Sequence, residues 1–133
     1  MKTRRGPLRI VYVVDRDESV REGLGRLIDS ADFEAQPCAS VQEFLELAHW
    51  RQAACILLEV SALRDCDAAV RAALRSLADV LPVIALSASD NTADSDLARA
   101  LGARSFFRKP VDAAALFDAI EWAVHNGNRA RHS

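Results

Sequence analysis

The sequence predicts an α/β domain, an open five-stranded parallel sheet wound on both sides in (βα)5 order, and three observations carry that reading. Short apolar runs alternate with stretches of helical periodicity along the whole chain. That alternation demands right-handed crossovers and a helical layer on each face of the sheet. The runs Ile10–Val14 (IVYVV) and Ala54–Val60 (ACILLEV) are nearly uninterrupted, as strands covered on both faces are. Finally, 133 residues, half of them hydrophobic, are enough for one domain with a real core and leave little room for a second.

The elements follow in order. After the β-branched run Ile10–Val14, Val20, Leu24, Leu27 and Ile28 fall at i, i+4, i+7 and i+8 and draw one helical stripe. A second strand near Glu34–Ala39 contains Pro37, which cannot donate to a ladder and so belongs at a sheet edge. Ser40-Val41-Gln42-Glu43 is a capping box, opening a helix with Val41, Phe44, Leu45 and Ala48 on one face. Ala54–Val60 is the central strand, and its one charge, Glu59, lies near its end. Val70, Leu74 and Leu77 stripe a third helix. Leu81–Ser87 is the fourth strand, followed by a helix with Leu97, Ala100 and Leu101, for which Gly102 is the stop. Ala103–Arg108 is a short fifth strand. Leu116, Ile120, Ala123 and Val124 stripe the last helix, with Asp112 as N-cap. The domain is expected over residues 8–126, with residues 1–7 and 127–133 as flexible tails, the latter equally the start of a linker.

Composition excludes several classes of function. A net charge of −2 provides no bulk attraction for nucleic acid. Three cysteines, Cys38, Cys55 and Cys66, are odd in number and lack C-x-x-C spacing, which argues against a disulfide framework or zinc site and for a reducing cytoplasm. No apolar stretch approaches the roughly 20 residues that span a bilayer, and the basic N-terminus has no secretory apolar region after it. Gly23-Leu24-Gly25 lies inside a helix and lacks the third glycine of a dinucleotide loop. His49, His125 and His132 are scattered, which argues against a metal site or a phosphorelay histidine.

In a doubly wound sheet, chemistry collects at the carboxyl ends of the strands, beside the point where strand order reverses. The polar residues there are Asp15 and Arg16 after the first strand, Glu59 on the third, Ser87 on the fourth and Lys109 after the fifth. Four separate segments would thus meet in one small pocket.

Val13-Val14-Asp15, the charged end of the third strand, Val83-Ile84-Ala85-Leu86-Ser87-Ala88 and Phe106-Phe107-Arg108-Lys109-Pro110 resemble the ordered landmarks of CheY-like response-regulator receiver domains. The resemblance covers roughly residues 8–125 and is strongest to receivers of regulators with a helix-turn-helix output domain, although no such domain is expected within these 133 residues. It implies a flavodoxin-like sheet of order 2-1-3-4-5. It also implies two-component or phosphorelay signalling, in which an Asp on the third strand takes a phosphoryl group from a histidine kinase. In that family two acids after the first strand hold Mg²⁺, a Ser/Thr and a Lys engage the phosphoryl oxygens, and an aromatic on the fifth strand reports the change. Carried over, Asp15 matches the first acid, Ser87 the hydroxyl, Lys109 the lysine, Phe106 the aromatic and Pro110 the proline whose preceding bond is often cis. Two central positions depart: Arg16 stands at the second acid and Glu59 at the acceptor, which makes the chain an atypical or pseudo-receiver. Ser61-Ala62-Leu63-Arg64-Asp65 also replaces the usual Pro- and Gly-containing loop.

The departures have physical consequences. A pocket of three carboxylates and one lysine sums to about −2 and calls for a divalent cation. Counting Asp15 and Glu59 against Arg16 and Lys109 brings the sum near zero, so Mg²⁺ is expected to bind weakly or not at all, with Asp15 the one residual ligand candidate. Glutamate carries its carboxylate roughly 1.3 Å further out than aspartate, which misplaces a nucleophile while moving negative charge towards Ser87 and Lys109. Arg16 either pairs bidentately with Glu59 or Asp15, locking the pocket, or points to solvent. Ser87 reads alternatively as a loop hydroxyl capping the next turn, and Phe106 as plain core packing. Asp65 and Asp67 are poor substitute acceptors, being misplaced for Lys109.

The expected function is a phosphorylation-independent protein-interaction module, not an enzyme, with a histidine kinase or a separate output protein as partner. A homodimer is expected through the Asn91–Val124 face, with no direct nucleic-acid or membrane contact. The alternative is a receiver still slowly phosphorylated on Glu59 or a nearby acid by a kinase or small phosphodonor. A flavodoxin-like small-molecule binder would need a phosphate-cradling loop after the first strand, and Asp15-Arg16-Asp17-Glu18 is too acidic and lacks glycine.

Overall fold

The computed structural model describes residues 10–47, 53–89 and 91–132, with side chains through residue 125. The N-terminal tail, Ala48, His49 and Ser133 lie outside the described residues.

Five parallel strands, β1 (Ile10–Val14), β2 (Glu34–Cys38), β3 (Ala53–Glu59), β4 (Val83–Ser87) and β5 (Ser105–Arg108), form one sheet of order β2-β1-β3-β4-β5. The helices between and after them are α1 (Glu18–Ser30), α2 (Val41–Leu47), α3 (Ala68–Ala78), α4 (Thr92–Leu101) and α5 (Ala113–His132). Helical backbone in α5 thus runs past residue 126, the predicted end of the domain.

The uninterrupted apolar runs are explained by their two covers. In β1, Tyr12 and Val14 face one core layer with Phe44 of α2, Leu74 of α3 and Leu101 of α4. Val11 and Val13 face the other layer, with Ile28 of α1 and Leu116 and Ile120 of α5. A strand between two helical layers has no solvent face, so alternation disappears and every position is apolar. Each fully buried side chain of this kind contributes about 1.5–3 kcal/mol relative to exposure. Tyr12 and Phe44 meet edge to face, ring centroids 4.9 Å apart.

Local signals act where they stand in the sequence. Ser40 Oγ accepts from Glu43 N at 3.0 Å, Asp112 Oδ2 from Ala115 N at 2.9 Å, and Asp17 Oδ1 from Ser19 N at 2.9 Å, each relieving an unpaired donor at a helix start. Gly102 ends α4 at φ +96°, a left-handed geometry that a side chain would resist. Pro37 sits on β2, which pairs with β1 alone and is therefore an edge. One element was not foreseen. Val60 leaves the strand to begin a 3-10 turn, Val60–Asp65, where the sequence predicts only a loop. Its end is held by Arg71, whose Nε and Nη2 donate to Leu63 O at 3.0 and 2.7 Å. That contact, from a residue eight positions on in α3, has no signature in the local sequence.

Candidate functional site

The reversal of strand order between β1 and β3 opens the crevice that the topology predicts, and three charged side chains close on one another there. Asp15 follows β1 and is fixed by its own turn: Oδ1 accepts from Asp17 N at 2.9 Å. Arg21 of α1 donates from Nη1 to the Asp15 carbonyl at 2.7 Å, a support not anticipated from sequence. Glu59 ends β3 and caps the 3-10 turn, Oε1 accepting from Ser61 N at 3.3 Å. Lys109 follows β5, anchored by its backbone N–H to Ser87 O at 2.8 Å. Its Nζ lies 2.6 Å from Asp15 Oδ2 and 3.0 Å from Glu59 Oε2. The Lys109-Pro110 bond is cis.

All three side chains are largely withdrawn from water, the lysine at 18% exposure and the acids at 5–6%. Burial alone would depress the Lys109 pKa, but the hydrogen bond to Asp15 and the charge attraction of Asp15 and Glu59 outweigh it and hold the ammonium above its ordinary 10.5. Glu59 Oε2 makes no hydrogen bond of good geometry and is compensated by its 3.0 Å proximity to the ammonium.

Arg16 is not part of this cluster. Its Nη1 donates to Asp65 Oδ2 at 2.7 Å, both side chains being more than half exposed. The predicted Arg16–Glu59 lock is therefore absent, and so is the near-zero charge sum that included it. Two carboxylates against one ammonium leave one net negative charge in the pocket. The reason is geometric: Arg16 is exposed in the turn after β1, where Asp65 at the end of the 3-10 turn offers a solvated partner without desolvating a guanidinium. Arg16→Ala is expected to change stability by no more than about 1 kcal/mol, the range of exposed pairs. Denaturant unfolding of the variant checks this, and a loss several times larger would restore Arg16 to the pocket.

Ser87 is fully buried, and its backbone joins the site through Lys109. Its hydroxyl, however, donates to Asp94 Oδ2 at 2.7 Å and accepts from Ser89 N at 3.0 Å. Phe106 is 38% exposed on β5, which corrects the core-packing alternative: β5 is an edge strand, and Phe106 faces outward while Phe107 packs inward. Trp122 of α5, 50% exposed, lies with it in the predicted Asn91–Val124 face. Cys38 and Cys55 are buried free thiols, both pushed up to about 12, Cys55 by desolvation alone and Cys38 chiefly so.

Sequence reasoning missed Asp94 and Arg64. Asp94 joins Asp15, Glu59 and Ser87 among the buried polar residues, and it pairs with Arg64 of the 3-10 turn. Following Asn91 by three, it looked like an ordinary solvated acid in a helix's first turn.

The pocket fits Mg²⁺ poorly. The ion takes about six oxygen ligands in near-ideal octahedral geometry. Both Asp15 oxygens are already engaged, Glu59 has one oxygen in the turn, and an ammonium sits between the two acids. Among the described residues no three His, Cys, Asp or Glu gather as a metal site. Beside Lys109, an apolar groove of about 400 Å³ runs between α1 and the β5–α5 connection, lined by Val20, Leu24, Leu27, Leu86, Pro110 and Val111. No helix among the described residues is long and apolar enough to cross a membrane.

The comparisons with known proteins agree with this architecture. Residues 11–121 match the family model for the response regulator receiver domain. The transcriptional regulatory protein TdiR of Thauera aromatica is 30% identical over 122 residues, 92% of this chain and 54% of its own length. The response regulator protein TodT of Pseudomonas putida is 27% identical over 115 residues, 86% of this chain and 51% of its own. The chain thus spans about half the length of these curated relatives. The structure of the response regulator StyR superposes with a TM-score of 0.80 at 31% identity, covering 94% of this chain and 63% of StyR. A five-stranded sheet of order 2-1-3-4-5 with these landmarks, matched over residues 11–121, establishes that the chain belongs to the response regulator receiver domain family.

Proposed function

We propose that this receiver domain works as a phosphorylation-independent protein-interaction module in two-component signalling, catalysing no reaction of its own. The observation that carries the reading is the Lys109 ammonium bridging Asp15 at 2.6 Å and Glu59 at 3.0 Å. The lysine that would meet an incoming phosphoryl group is already held by the residue standing at the acceptor position. In this reading Glu59 stands at that position, one methylene too long for an acceptor and carrying its own negative charge to the lysine. It mimics a phosphoryl group only in part, since one negative charge replaces about two. Mg²⁺ binding is weak or absent in this reading, and phosphoryl transfer that depends on metal neutralisation loses most of its catalysis.

The partner is a cytoplasmic protein, a histidine kinase or a separate output protein. Two surfaces support docking: the apolar groove beside Lys109 and the Asn91–Val124 face with Phe106 and Trp122 exposed. A homodimer through the second face belongs to the same reading, as does the absence of direct nucleic-acid binding at a net charge of −2.

The other reading, slow phosphorylation on Glu59 or a nearby acid, is favoured by one observation: apart from the 3.0 Å approach of the Lys109 ammonium, Glu59 Oε2 has no hydrogen-bond partner among the described residues. Incubation with a small phosphodonor and Mg²⁺, followed by intact mass measurement, separates the two. The mass is expected to stay unchanged, and the gain of one phosphoryl group would transfer the assignment to the other reading.

A further inference from the structure

Asp94 is a buried carboxylate with no part in the Asp15–Glu59–Lys109 cluster, and its surroundings are specific. An acid at the third position of a helix normally stays in water and reaches back to the cap. Here the side chain is 2% exposed, with Ser87 Oγ donating to Oδ2 at 2.7 Å and the Arg64 guanidinium paired with Oδ1. A hydroxyl has one proton to give. Ser87 directs it at Asp94, the 3.3 Å contact with Ser89 O being the longer and weaker alternative. Arg64 belongs to the 3-10 turn that Glu59 caps, and Asp94 belongs to the first turn of α4. One chain of contacts therefore runs from the end of β3, through Arg64 and Asp94, to the end of β4.

We propose that Arg64, Asp94 and Ser87 form a latch that holds the β4–α4 connection and the first turn of α4 against the turn after β3. Its opening is the conformational change this domain makes without phosphorylation. The charges make it all-or-none. A buried carboxylate tolerates two partners or a move to water, and losing Arg64 leaves it uncompensated. Arg64 is the accessible member, 48% exposed, so a partner's carboxylate can draw it away while Asp94 remains covered. Once Arg64 leaves, Asp94 is a buried charge without its cation, and turning it to water shifts the first turn of α4 and changes the shape of the Asn91–Val124 face. The latch itself rests on these contacts, while its use without phosphorylation rests on the reading above; hydrogen exchange tests the first and the phosphodonor experiment the second, so either can fail alone.

Backbone hydrogen exchange on the intact domain tests the latch. Arg64→Ala and Asp94→Asn, which keep the fold's apolar core untouched, are expected to speed exchange at residues 91–98 by about tenfold or more, equivalent to about 1.4 kcal/mol of local opening. Amides of β1 and β3 should keep wild-type rates, Arg64→Lys should recover part of the protection, and the double variant should be no faster than either single one. Unchanged exchange in α4, acceleration spread evenly over the sheet, or additive effects of the two substitutions would each overturn the latch.

Discussion

Replacing Lys109 with methionine costs the domain about 3–5 kcal/mol at neutral pH, because it leaves Asp15 and Glu59 as two buried like charges with no cation between them. Methionine preserves the apolar stem of lysine, so the loss reports the charge and not the volume. One pH dependence follows. In the wild type the Lys109 pKa is raised in the folded state, so its contribution is fully present below the ordinary value of 10.5 and is lost as pH rises through the folded value. The variant lacks that alkaline loss. Denaturant unfolding of both proteins at neutral and alkaline pH checks both statements. A variant within about 1 kcal/mol of wild type at neutral pH would mean that the bridge is weaker than its geometry indicates.

The double substitution Glu59→Asp with Arg16→Asp is expected to gain one phosphoryl group from a small phosphodonor and a measurable Mg²⁺ affinity, where the wild type is expected to show neither. The shorter side chain withdraws the acceptor carboxylate by roughly one C–C bond and frees space before Lys109. The second acid supplies oxygen ligands and raises the pocket to three carboxylates against one lysine, the balance that calls for a divalent ion. Arg16 is half exposed and tied only to Asp65 among its described contacts, so its removal leaves the fold intact. Each single substitution is expected to fail, Glu59→Asp for want of metal and Arg16→Asp for want of a correctly placed nucleophile. Intact mass and calorimetric Mg²⁺ titration of the four proteins give the answer. A folded double variant that binds Mg²⁺ but gains no mass would shift the block from Glu59 and Arg16 to the turn Ser61–Asp65 and the Ser87 hydroxyl held by Asp94.

Much of this architecture is legible because it depends on local chemistry. Ser40, Asp112 and Asp17 cap helices with side chains two or three residues from the donors they serve, and Gly102 stops α4 through its own backbone freedom. Strand boundaries shifted by a residue or two, as at β3, because an apolar run does not mark where pairing ends. The meeting of Asp15, Glu59 and Lys109 follows from topology: strands in known order bring their carboxyl ends together whatever the loops do.

The choice of partner for a long cation was not legible. Arg16 could be assigned to Glu59, Asp15 or solvent from its position alone, and it goes to Asp65, a residue made available by a 3-10 turn that no local signal announced. Asp94 carries the opposite lesson, since an acid in a helix's first turn is ordinarily wet and this one is sealed by Ser87 and Arg64 from other segments.

By itself the sequence determined the sheet, its two helical covers and which charges stand at the strand ends, because hydrophobic period and capping act over a few residues. Only the tertiary structure decided which charges pair. Lys109 bridges Asp15 and Glu59, Arg16 stays outside, and Arg64 secures Asp94. Pairing depends on distance and desolvation across segments 49 or 94 residues apart, and neither quantity exists until the chain has folded.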